Sequence, residues 1–287
     1  MIKRFDTEID NINHSGKVII KVYHEDKVYY NAWFILSPSA IEEINTKFGS
    51  TDGPKVINAA QQYIKSLGKE KGSNLLQFIN EDPMMVCSLG LEVEGVTMPI
   101  RWLVGDGNSW IDSGVLLDGH DKIEFEFRDM QMKDSQQALF GLRQTGVGDI
   151  SLRQSKYASN YIYDWYYSSG TASTYTTLNV TGAKVTIDGG VAKIATNTIT
   201  RTTLNLGFTN TFWLFALNAN GSVGIPAIFS MNHFIDEGKC NLVPFVSQTR
   251  DGMIDLVNME FHPNQGTGHF TDAYTLPDGT PWTPSTP

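Results

Sequence analysis

Cysteine, charge and long apolar runs are all scarce in this chain. Cys87 and Cys240 are the two cysteines in 287 residues. They are too few and too far apart for a disulfide-built scaffold, and no Cys/His cluster has zinc-ligand spacing. The two can pair with each other or remain buried thiols, and two thiols are the favoured reading. Charged residues make up 18% of the chain and apolar residues 41%, so there is ample surface to bury and little repulsion to keep the chain disordered. Twenty-two basic residues against 31 acidic ones leave a net charge of −9, which argues against nucleic acid and against an anionic membrane surface as partners. No apolar stretch approaches the roughly 20 residues of a membrane-spanning helix. The opening residues Met1 to Glu8 lack the apolar core and cleavage site of a signal peptide. Assembly in a cytoplasm without membrane insertion is therefore expected.

Aromatic residues are plentiful, at 11% with six Trp and eleven Tyr, and charge is unevenly spread. Residues 1–100 hold 23 charged side chains, whereas the 187 residues after them hold 30. The patterning predicts a small α+β unit over 1–100, a β unit over 101–271 and a Pro/Thr-rich tail over 272–287, an extended arm or frayed end. In the first unit, Lys17 to Tyr23 and Lys27 to Leu36 read as a hairpin around Glu25-Asp26. Pro38 suits a first helical position, with Ser39 and Glu42 at capping-box spacing. A second apolar stripe runs from Pro54 to about Leu67, and Met84 to Glu94 reads as extended. In the second unit, short β-rich runs recur between turn signals, with Asp188-Gly189-Gly190 the strongest hairpin turn. Many short strands without helical period between them indicate a sandwich or jelly roll.

Seven phrases occur in an order that resembles one family. They are Trp110-Ile111-Asp112-Ser113-Gly114-Val115, Lys122 to Phe127, Leu139 to Arg143, Val185 to Gly190, Leu214 to Gly221, Leu242-Val243-Pro244-Phe245 and Gly252 to Asn258, closing at Gly266-Thr267-Gly268-His269-Phe270. Over residues 101–271 the chain resembles the concanavalin A-like, laminin-G-type jelly roll, in the version carried by surface proteins of Bacteroidetes and by virion proteins of their phages, crAss-like phages among them. The resemblance implies a mainly β chain, two packed antiparallel sheets, and binding rather than chemistry.

Tyr161, Tyr163, Trp165 and Tyr167 alternate along one run and so share a face, with Asp164 and Tyr166 opposite and Tyr157 nearby. Such a face suits stacking on the C–H face of a sugar; the core of the sandwich or a subunit interface is the commoner use of the same pattern. Asp118 and Asp121, in Asp118-Gly119-His120-Asp121, are candidate calcium ligands, or simply an Asp- and Gly-rich turn. Glu124 and Glu126 share a face and resemble the paired carboxylates of the glucanase branch. Arg128 stands where that pattern needs its third acid, so no enzyme is expected. Gly146-Val147-Gly148 has no helix after it and is no phosphate loop. The six histidines are scattered.

The expected protein is a phage virion component, a decoration, fibre or tail-hub part. Residues 1–100 would dock on other virion proteins and the sandwich would be displayed, with a host-surface glycan as candidate ligand. A homo-oligomer, first of all a trimer, and no cofactor unless calcium complete the expectation. The alternatives are a cellular carbohydrate-binding adhesin at the cell surface and, further off, a glycoside hydrolase.

Overall fold

The computed structural model describes residues 4–9, 17–24, 27–169 and 173–284. Contacts divide these into two compact units, one of residues 1–100 with 274–287 and one of residues 101–273.

The first unit opens with three antiparallel strands, β1 (Arg4–Ile9), β2 (Lys17–His24) and β3 (Lys27–Ile35). β2 pairs with β3 as the expected hairpin; its turn, Glu25-Asp26, lies outside the described residues. Three helices follow: α1 (Pro38–Phe48), α2 (Gly53–Ser66) and α3 (Lys69–Glu81). Pro38 takes the first turn of α1 as expected, but the cap is Ser37, whose hydroxyl accepts from the Ala40 amide at 3.2 Å. The N-cap is thus two residues earlier than the Ser39–Glu42 spacing suggests, and with Ala40 at N3 it forms no capping box. Each helix turns one apolar stripe inward: Ala40 and Ile44, then Val56, Ala60 and Ile64, then Leu75 and Ile79. Gly53 is needed where α1 meets α2, because a Cβ there would lie 2.2 Å from the Asn45 side-chain oxygen. Residues Pro83–Ser88 form a 3₁₀-helix with Met84, Met85 and Val86 buried, where the sequence reads as extended.

Residues 274–284 are not a loose arm. An isolated bridge joins Thr275 to Pro281, and Trp282 sits 5.7 Å from Phe48 and 5.6 Å from Tyr274 between ring centroids. Aromatic contacts of this kind are each worth about 0.5–1.5 kcal/mol beyond area burial.

The second unit is two packed sheets. Its strands are β4 (Ile100–Val104), β5 (Ile111–Asp112), β6 (Lys122–Arg128), β7 (Gln137–Gln144), β8 (Gly148–Tyr157), β9 (Asn160–Ser168) and β10 (Ser173–Thr177). They continue as β11 (Ala183–Asp188), β12 (Val191–Ile194), β13 (Asn197–Thr200), β14 (Trp213–Leu214), β15 (Leu217–Ala219) and β16 (Ser222–Gly224). The last are β17 (Ser230–Asp236), β18 (Cys240–Val246), β19 (Asp251–Asp255), β20 (Glu260–Pro263) and β21 (Thr271–Thr275). One sheet runs β10-β9-β8-β7-β14-β5 with β15 and β16 beside that path; the other runs β13-β12-β11-β6-β17-β18-β19-β20. Pairing is antiparallel throughout both paths, while β15 meets β7 in parallel. Asp188 faces Val191 across the Gly189-Gly190 turn, with Gly189 at φ +51°, the left-handed conformation that hairpin turn requires.

The sheets are held together by rings. Phe140 of β7 approaches Phe125 of β6 at 5.6 Å and Phe234 of β17 at 5.5 Å, both edge-on. Phe212, Phe215 and Phe229 fill the layer around them with no more than 1% exposure. At about 1.5–3 kcal/mol for each fully buried large apolar side chain, these rings contribute strongly to the cohesion of the unit, together with aliphatic neighbours such as Leu142, Leu152 and Val185. Cys87 and Cys240 are both buried thiols, and burial pushes the Cys240 thiol up to about 12, far from reactivity at neutral pH.

Candidate functional site

β9 alternates as its sequence requires, and its two faces have opposite fates. Tyr163, Trp165 and Tyr167 point between the sheets and are at most 2% exposed. Their polar atoms are tied to backbone: Tyr163 Oη donates to Val180 O at 2.9 Å, Trp165 Nε1 to Gly190 O at 3.3 Å, and Tyr167 Oη to Gly119 O. Tyr161, at the strand's start, is half-buried beside the Lys156 ammonium, 5.8 Å from its ring centroid. The open sugar platform expected of Tyr161, Tyr163, Trp165 and Tyr167 is therefore corrected: the last three have no ring face to offer, because burial between two sheets gains more than exposure.

The opposite face of β9 carries Ile162, Asp164 and Tyr166. Register places Ile162 between Ser155 of β8 and Thr177 of β10, Asp164 between Arg153 and Tyr175, and Tyr166 between Ser151 and Ser173. Together with Asp134 and Gln136 from the segment before β7, these strands line a pocket of about 380 Å³. Tyr157 and Tyr175, 62% and 49% exposed, stand at its mouth with ring centroids 5.5 Å apart and planes tilted by 38°. They are among the few large apolar-bodied side chains the described surface exposes.

The floor is polar and rigid. Ser155 Oγ donates to Asp164 Oδ2 at 2.8 Å. Burial pushes the Asp164 carboxyl above its ordinary range, against the pull of the Ser155 hydrogen bond and the Arg153 charge. Tyr166 is fixed from two sides: Gln136 Nε2 donates to its hydroxyl at 3.0 Å, and the Arg153 guanidinium lies 3.7 Å from its ring centroid. Arg153 is itself locked, with Nη2 2.5 Å from Asp149 Oδ2 and Nε donating to Ser151 Oγ at 2.8 Å. Asp149 also accepts from Arg143 Nε at 2.7 Å and from Ser151 Oγ at 2.7 Å, so this buried charge cluster is fully paired, as a low-dielectric site demands. At the rim, Lys156 Nζ donates to Asp134 at 3.0 Å. Fixed polar groups under two exposed rings are the elements of a preorganised binding site.

Tyr157 and Tyr166 are visible in the sequence as neighbours of the aromatic run. Asp134, Gln136 and Tyr175 are not, although Tyr175 sits in Ser173-Thr174-Tyr175-Thr176-Thr177, a β-branched run whose alternation marks a strand.

The calcium candidates take a different form. Asp121 accepts amides from Asp118 and Gly119 at 3.2 and 3.0 Å, and the Lys239 ammonium lies 2.5 Å from Asp121, 3.2 Å from Asp118 and 3.6 Å from Asp236. A lysine charge already neutralises these carboxylates from the place a cation would take, so Asp118 and Asp121 do not fit calcium and are corrected to an internal ion cluster. The loop also anchors the core: Gly119 at φ +89° lets its carbonyl reach Tyr167, and a Cβ there would lie 2.1 Å from Leu204 O.

Glu124 and Glu126 share the outer face of β6. Glu124 pairs with Lys184 at 2.7 Å and lies 3.7 Å from His233 Nε2; Glu126 accepts from Asn232 at 2.8 Å. Burial holds His233 below its ordinary value, against the two glutamates. Both carboxylates are thus engaged by neighbours on the sheet, and Arg128 pairs with Asp129 at 3.0 Å.

No helix among the described residues is long and apolar enough to cross a membrane. Comparison with protein-family models and with curated proteins found nothing that matches the chain.

Proposed function

We propose that this is a phage virion protein whose second unit is a concanavalin A-like jelly roll displaying a carbohydrate-binding site, with no catalytic role. The observation that carries the binding part is the pair Tyr157 and Tyr175, exposed side by side over a pocket floored by Asp164, Ser155 and Tyr166. Exposed rings gain from the apolar C–H faces of a pyranose, while carboxylate, amide and hydroxyl groups below satisfy its hydroxyls. Two face-to-face antiparallel sheets, with β6 between β11 and β17, make a β-sandwich and so support this reading. The virion setting rests on the ordered phrases from Trp110 to Phe270 that resemble displayed domains of Bacteroidetes phages. The first unit, with its helices and small sheet, is the part that docks on the particle.

A glycan array probed with the full chain tests the binding. Signal on a defined set of glycans, lost in Tyr175→Ala while the melting temperature holds, supports it; a blank array overturns it. Immunogold labelling of purified particles tests the setting, and unlabelled particles exclude it.

A further inference from the structure

The charges around the pocket allow its ligand to be narrowed, on the premise that the pocket binds carbohydrate. We infer that it takes an uncharged pyranose and rejects sugars bearing a carboxylate, such as uronates and sialates.

Two carboxylates face the cavity. Asp164 is 5% exposed at its floor and Asp134 stands at its rim. Two cations are near among the described residues, and each already has an acidic partner. Lys156 is held 3.0 Å from Asp134. Arg153, 1% exposed, lies behind the Tyr166 ring with its guanidinium committed to Asp149 and Ser151. A carboxylate entering the pocket would meet Asp164, while the nearby cations among the described residues are already paired with acids. Like-charge contact in a partly desolvated site is one means by which a small pocket rejects a wrong ligand.

The same groups suit a neutral sugar. Ser155 occupies Asp164 Oδ2, which leaves Oδ1 to accept a ligand hydroxyl as a charge-assisted hydrogen bond. The Gln136 amide, turned toward Tyr166 Oη, has a carbonyl oxygen to accept a second. Tyr157 and Tyr175 cover the ring. These acceptors suit a ligand whose polar groups are hydroxyls, and the Tyr157, Ser173 and Tyr175 hydroxyls that also line the pocket can donate to its oxygens. The raised Asp164 carboxyl adds a signature: as pH falls and it gains a proton, earlier than an ordinary aspartate would, it turns from acceptor into donor and the preference should fade.

The test is a binding titration of the full chain against matched pairs of oligosaccharides, each neutral glycan beside the congener with one uronate or sialate in its place. Binding of the neutral member at least tenfold tighter at pH 7, with the ratio narrowing as pH is lowered, is expected. Asp164→Asn, checked for an unshifted melt, should narrow the ratio in the same way at pH 7. Equal or tighter binding of the acidic member by the unmodified chain overturns the charge inference and leaves carbohydrate binding standing. Binding of neither member, across glycans of every class, overturns both. The comparison on the unmodified chain decides even if the variant fails to fold.

Discussion

The Lys239 ammonium lies 3.6 Å from Asp236, a carboxylate 1% exposed to solvent. One lysine thereby serves Asp118, Asp121 and Asp236 together. Removing one partner from a buried ion cluster costs about 3–5 kcal/mol, and partial exposure of Lys239 lowers this, so Lys239→Met should cost about 2–3 kcal/mol in urea denaturation. A chelator should leave the melting temperature of the unmodified chain unchanged. A chelator-induced drop would show a bound cation that the lysine does not replace.

Burial first, and the Asp121 charge second, push Asp236 from the ordinary 3.8 up to about 7. The folded chain therefore holds this proton more tightly than the unfolded chain does. Its contribution to stability is complete below about pH 4 and is lost as pH rises through about 7. The difference in urea midpoint between the unmodified chain and Asp236→Asn should therefore change between pH 5 and pH 8, with the unmodified chain losing ground. Parallel curves across that interval would show that Asp236 titrates as an ordinary carboxylate.

The two faces of β9 are separable by mutation. Trp165→Ala should cost about 3–5 kcal/mol, as for any large ring cut from a packed core. Tyr175→Ala should stay within about 0.5 kcal/mol, as for an exposed position. Comparable losses in the two variants would mean that the faces are misassigned.

The alternation of β9 was readable in the sequence, but which side is covered was not. Tyr163, Trp165 and Tyr167 form a better apolar stripe than Ile162, Asp164 and Tyr166, yet exposed aromatic stripes obey the same period of two. Only the position of Phe127 and Phe140 against these rings decides it. Helix α3 escaped because its first turns, Lys69 to Asn74, are polar, and its stripe of Leu75, Phe78 and Ile79 is short. The Met84 segment, apolar and unperiodic, folds as a 3₁₀-helix behind Pro83, whose fixed φ suits a helical first turn. At the site, strand residues were legible and loop residues were not: Asp134 and Gln136 reach the pocket through the path of the chain before β7, which no local pattern encodes. The Asp118–Asp121 turn showed its oxygens but not Lys239, well over 100 residues away, which joins them.

β19 is the test of the closing segment. Met253 and Ile254 are fully buried, Asp255 Oδ1 accepts the Asn241 and Val257 amides at 2.9 Å each, and Arg101 pairs with Asp272 at 2.8 Å. Ending the chain at Asp251 should abolish the cooperative melt of the second unit, whereas ending it after Asp272 should preserve it and weaken the first unit by loss of Trp282. A cooperative, unshifted melt for the shorter chain would show that β19 and β20 are an appendage.

Calorimetric titration of one array-identified neutral glycan into the full chain, Tyr157→Ala, Tyr175→Ala and the double variant tests the binding site most directly. Loss of each ring should weaken binding by about 1 kcal/mol or more, at least about fivefold, with the double variant silent and every melt unshifted. Unchanged affinity in a folded double variant would contradict the assignment of this pocket.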